Sequence, residues 1–291
     1  CLPPDHTTWS SDSDVVVVPD VLAFMQSMAL AQRAKFDGPV VALTGSNGKT
    51  TVKEWVAQLL PASVALHRSP FSHNSQLWVP TSLWSLGTHH DLSLVEAGIS
   101  LPEEMDKLQR CIAPTEGVLT HLGEAHLGNF EDARHLAREK CTLFRGCRQV
   151  FMPASLLPAV RDFLNCPAVT WSLNGQAAEA DLQATATQHL GGFQLSWKGE
   201  SAQVQLGMHD DVSIHNALTA SLVALHHGAT LSDLATHWPS LKPVSGRLSS
   251  VKRPQGGVLL QDDTSHDFGA LGVALQRLAG LEDNLPRVAI V

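Results

Sequence analysis

The sequence predicts an α/β fold: a central domain with a mostly parallel sheet, a small antiparallel β section after it, and the opening of a second α/β domain. Three observations carry this. Apolar runs alternate with helix-like stretches from Pro39 to Trp171, as βαβ units do. The first run, Pro39–Thr44, has no polar alternation, which suits a parallel strand buried on both faces. It leads into Gly45-Ser46-Asn47-Gly48-Lys49-Thr50-Thr51, a glycine turn between a buried strand and a helix.

Further strand-like runs occur at 63–66, 92–96, 117–120, 149–152 and 168–171. Helical stretches are expected over 51–60, 102–110, 131–144 and 156–164, with Ser100 as the cap of the second. Between Ala180 and Met208 apolar residues alternate and Gly191-Gly192 interrupts them, the pattern of a small antiparallel set. Helical pattern returns at 214–227 and 231–237. Pro243-Val244-Ser245-Gly246 reads as a hinge, followed by strands at 248–251 and 258–261, a helix from about 267 to 279 and a terminal apolar run. Val15–Val18 reads as a short buried strand, and both chain ends read as cut, so a fragment is expected.

Composition narrows the function classes. The 291 residues carry a net charge of −8, which argues against a nucleic-acid partner. No apolar run approaches the ~20 residues of a membrane span, so no membrane insertion is expected, and no export signal is apparent. The five cysteines are an odd number without a Cys-x-x-Cys pair and read as reduced cytosolic thiols. The fifteen histidines show no metal-ligand spacing.

The chemistry concentrates at the glycine turn. Gly45 and Gly48 let backbone N–H groups converge on phosphate oxygens, and the following helix points its positive end at the same anion. Lys49 supplies charge to a β/γ-phosphate and Thr50 a hydroxyl for Mg²⁺. The two glycines bracket two residues; the usual four-residue gap would place the first where Leu43 stands. Glu96, at the carboxyl end of a parallel strand, stands where ligands bind in such sheets and suits the same Mg²⁺; the other reading is a solvated loop acid. On spacing alone His126 reads equally as a surface histidine, and Lys140 equally as a solvated helix-face lysine.

The run from Leu43 to Glu54, with Ser72-His73-Asn74-Ser75-Gln76, Glu96-Ala97-Gly98-Ile99-Ser100 and Gly123-Glu124-Ala125-His126, resembles the Mur ligases. The likeness is to the MurF type, in the variant fused ahead of an alanine racemase. It implies residues 1–36 as the remnant of a UDP-sugar-binding domain and linker, 37–243 as the ATP-binding domain, and 244–291 as an incomplete Rossmann-like C-terminal domain. It implies ATP and two Mg²⁺ as cofactors, with UDP-MurNAc-tripeptide and D-Ala-D-Ala as substrates. Gly45 to Thr51 would cradle the nucleotide; Thr50, Glu96, His126 and a carbamoylated Lys140 would ligate metal; Lys49, His126 and Lys140 would be the catalytic residues. Asn216 would lie against adenine, Arg247 at the phosphates, Asp263 near the ribose, and Asn74 and Ser75 at the substrate. Ser265-His266, Thr219, Trp78 and His121 depart from that pattern.

Overall fold

A computed structural model describes residues 16–123, 127–244, 249–252 and 258–261. Helix α1 (Val21–Arg33) begins where the Asp20 carboxylate accepts the Ala23 N–H at 3.0 Å. It packs against α3 (Trp78–Leu83) and α4 (Glu104–Ile112), and Arg33 donates to the Ile112 and Ala113 carbonyls at the end of α4. The strand expected at 15–18 is not found over its described part: Val16 and Val17 are exposed and form no described ladder, because Pro19 and the Asp20 cap commit the chain to the helix.

The main sheet contains β1 (Val40–Thr44), β2 (Leu66–Arg68), β3 (Leu92–Glu96), β4 (Glu116–Leu119), β5 (Val150–Pro153), β6 (Ala168–Leu173), β7 (Leu182–Ala186), β8 (Gly192–Trp197) and β9 (Glu200–Gln205). Their order is β2-β3-β1-β4-β5-β6-β7-β8-β9. Pairings are parallel from β2 to β7 and antiparallel for β7–β8 and β8–β9, so the parallel sheet carries the antiparallel appendage its sequence predicts. Strand β1 sits between β3 and β4, so the chain leaves it in both directions. This switch point opens a crevice at the carboxyl ends of the strands.

Two apolar cores flank the sheet. Val41 and Leu43 of β1 face one, with α2 (Lys49–Leu59), α7 (Asp211–His226) and α8 (Leu231–His237). Val40 and Ala42 face the other, with α1, α3, α4 and α5 (Ala133–Cys141). Burial on both faces explains why these strands read as continuous apolar runs. The ribbon β10 (Ser249–Lys252) and β11 (Val258–Gln261) pairs antiparallel.

Several expected boundaries move for identifiable reasons. The run at 63–66 is displaced to β2, because Pro61 to Val64 closes a turn. Helix α4 starts at Glu104, not Pro102, and Ser100 is not its cap. Instead Glu104 Oε2 reaches back to the N–H groups of Ser100 (2.7 Å) and Leu101 (2.9 Å). The helix expected over 156–164 is only α6 (Leu157–Val160) between two 3₁₀ turns, since Pro158 lacks the N–H that would bond Ala154. Helix α7 starts earlier than its apolar pattern, because Asp210 caps the Ser213 N–H at 2.8 Å. The expected helix over 267–279 lies outside the described residues.

Candidate active site

The glycine turn crosses the crevice between β1 and α2. Gly45 has φ +148° and Gly48 has φ +87°, the region that favours glycine. A Cβ at Gly45 would collide with Thr120 Oγ1, and one at Gly48 with Asn216 Oδ1. The turn is pinned from outside. Ser46 N–H donates to the His121 carbonyl at 2.8 Å, and Ser46 Oγ accepts from Gly123 N–H at 2.9 Å. Thr120, buried at the end of β4, donates to the Asn47 carbonyl. Among the described residues no side-chain cap is found at the N-terminus of α2, and no acid lies in its first turn, which leaves that end suited to an anion. Lys49 Nζ folds back onto the Gly45 carbonyl at 2.8 Å.

Glu96 ends β3 fully buried, so the solvated-acid reading fails. Its Oε2 accepts from Thr50 Oγ1 at 3.0 Å. Its Oε1 lies 2.9 Å from Lys53 Nζ, an ion pair by distance but out of line for a hydrogen bond, so this buried oxygen accepts none. A carboxylate with an unsatisfied oxygen beside a threonine hydroxyl fits a hard divalent cation.

Lys140 closes the last turn of α5 and is only 2% exposed, so it is no solvated helix-face residue. Burial pushes its ammonium down to about 7, and the nearby Lys49 cation acts in the same direction. No described carboxylate pairs with it. An amine held near neutrality can act as a nucleophile toward CO₂.

Asn216 on α7 reaches the turn at Gly48, bringing a second element to the crevice. Thr219, one turn on, is committed to the core: it accepts from Trp171 Nε1 and donates to the His215 carbonyl, both at 2.9 Å. Asn74 lies beside the same strand end as Glu96, its carbonyl accepting Gly98 N–H at 2.8 Å, and Ser75 begins the turn into α3. Thr51 is half-buried in the first turn of α2. Thus Gly45 to Thr51, Glu96, Lys140 and Asn216 gather at one switch point. His126, Arg247 and Asp263 lie outside the described residues.

Lys53 and Ser69 escaped the sequence reading. Lys53 lies four residues after Lys49, hence on the same helix face, and a lysine on that inward face was the available signal.

The family described as Mur ligase middle domain matches residues 43–224. The chain belongs to the Mur ligase family. This Mur ligase chain is similar to the UDP-N-acetylmuramoyl-tripeptide–D-alanyl-D-alanine ligase of Escherichia coli (strain K12), 29% identical over 276 residues, covering 92% of the chain and 61% of that protein. The Bacillus subtilis (strain 168) protein of the same name is 24% identical, with 92% and 59% covered. MurF from Acinetobacter baumannii superposes with a TM-score of 0.77 at 24% identity, covering 91% of the chain and 59% of that structure. MurF from Thermotoga maritima in complex with ADP gives 0.75 at 21%, with 92% and 63% covered. The chain therefore spans about three fifths of the length of these relatives.

Proposed function

We propose that this chain is the ATP-binding part of a ligase that joins D-Ala-D-Ala to UDP-MurNAc-tripeptide in the cytoplasm, a step of peptidoglycan precursor synthesis. The observation that carries the reading is the meeting of the glycine turn, the Thr50–Glu96 pair and a near-neutral buried Lys140 at one sheet switch point. Residues 37–243 are the ATP-binding unit in this reading, with 1–36 and 244–291 belonging to the domains on either side. An alanine racemase following the chain, as in the fusions it resembles, belongs to the same proposal and is tested by reading the coding sequence downstream.

Transfer of the ATP γ-phosphoryl group to the tripeptide carboxylate brings two anions together. The backbone N–H groups of residues 45–51 and Lys49 hold the phosphates and offset part of that repulsion. Bound Mg²⁺ would supply the remaining positive charge. Thr50 and Glu96 would hold one ion, and His126 with Lys140 a second. For that role the neutral Lys140 amine adds to CO₂, forming an N–C bond and releasing a proton, and presents an anionic oxygen donor. Asn216 would border the adenine, Arg247 would reach the phosphates and Asp263 the ribose, and Asn74 and Ser75 would meet the tripeptide. The D-Ala-D-Ala amine then attacks the acyl phosphate, and the carbon–oxygen bond to phosphate breaks.

The test is ADP release by the complete protein, offered UDP-MurNAc-tripeptide with D-Ala-D-Ala, meso-diaminopimelate or lysine. Turnover with D-Ala-D-Ala is expected; turnover only with either of the other amines would overturn the reading.

A further inference from the structure

Lys53 is fully buried. Its ammonium lies 2.9 Å from Glu96 Oε1 and 3.3 Å from Glu54 Oε1. It also donates to the carbonyls of Ser69, at 2.7 Å, and Phe71. A buried charge is costly unless paired and hydrogen-bonded, so the Lys53 ammonium is held to the partners that compensate it. Ser69 ties the same points from the other side: its Oγ accepts the Glu96 N–H at 3.2 Å, and its N–H donates to the Leu94 carbonyl at 2.9 Å. Beyond Ser69 the chain turns through Phe71, at φ +48°, an unfavourable conformation for a large L-residue that surrounding contacts must hold. It returns to the strand end where the Asn74 carbonyl meets Gly98 N–H. The segment from 69 to 74 is thus fastened at both ends next to Glu96, with Lys53 in between.

We infer that Lys53 is a positioning residue coupling the cation site to the 69–75 segment. One ammonium both balances Glu96 and holds the backbone that presents Asn74 and Ser75. A divalent cation on Glu96 takes over the balancing of that carboxylate and leaves Lys53 to the Ser69 and Phe71 carbonyls, which tightens the segment. The inference rests on the nucleotide–Mg²⁺ reading above and deepens it by linking metal loading to order at the substrate side.

Hydrogen exchange of the complete protein, with and without ADP and Mg²⁺, tests the coupling. In the unsubstituted protein, ADP with Mg²⁺ is expected to slow exchange across residues 69–76 by about five-fold or more. Lys53→Met is expected to bind ADP within about three-fold of normal, lose that slowing, and raise KM for the peptide substrate about ten-fold while KM for ATP stays put. Ser69→Ala, which removes only the Ser69 Oγ tie, is expected to lose part of the slowing and serves if Lys53→Met does not fold. Equal slowing and equal KM values in the unsubstituted and substituted proteins would overturn the inference alone. Failure of the unsubstituted protein to bind ADP with Mg²⁺ would overturn the proposed function and the inference with it.

Discussion

Lys140 offers a quantitative handle that does not depend on activity. Burial holds its ammonium down to about 7, against an ordinary value of 10.5. At about 1.4 kcal/mol per unit, burying the protonated amine costs about 5 kcal/mol, an upper figure that water penetration and relaxation reduce. The sign follows from proton linkage. Between pH 7 and 10.5 the unfolded state binds more protons at this residue, so stability rises with pH across that window. The cost is complete below about pH 7 and vanishes above about 10.5. Lys140→Met keeps the length of the side chain and removes the titration. Urea unfolding of both proteins in CO₂-free buffer at pH 6, 7, 8 and 9 isolates the residue, because every other group titrates in both. The methionine variant is expected to be more stable at pH 6, by about 2–5 kcal/mol, and the advantage is expected to shrink as pH rises. A stability difference that is flat across the four pH values would refute the account of Lys140 as a buried, near-neutral amine.

Other substitutions separate site from scaffold. Glu96→Gln removes the fully buried anionic partner of Lys53, leaving it only Glu54 and two carbonyls, and is expected to cost about 3 kcal/mol in stability and to abolish the Mg²⁺ dependence of ADP binding, read by calorimetry. Gly48→Ala forces a left-handed alanine into Asn216 and is expected to weaken ADP binding at least ten-fold, with a stability loss of about 1–2 kcal/mol. Thr219→Val leaves the Trp171 indole N–H unpaired in the core and is expected to cost about 1–3 kcal/mol in denaturant unfolding with ADP affinity unchanged.

The parallel sheet was legible because its strands are buried on both faces. Val40 to Leu43 are apolar throughout and Leu92 to Val95 apolar but for Ser93, and their ends mark the crevice. Boundaries set by single polar atoms were not. No periodicity shows that the Glu104 carboxylate caps its own approach loop, or that Asp210 starts α7 before the apolar stripe begins. At the site, the glycine turn is local and was readable from seven consecutive residues. The pairing of Glu96 with Thr50 and Lys53 joins elements 43 or more residues apart, and the depression of Lys140 comes from packing, which spacing does not report. Thr219, a departure from the family pattern in the sequence, is explained only by packing: its hydroxyl accepts from the Trp171 indole.

In the proposed function the crevice built by the turn, Glu96 and Lys140 activates a carboxylate by phosphoryl transfer. An oxygen-transfer measurement on the complete protein tests it most directly. UDP-MurNAc-tripeptide carrying ¹⁸O in its reacting carboxylate is turned over with ATP and D-Ala-D-Ala, and the released phosphate is examined by mass spectrometry. An acyl phosphate hands one carboxylate oxygen to the departing phosphate, so phosphate bearing a single ¹⁸O is the predicted result. Unlabelled phosphate released with product would contradict the account.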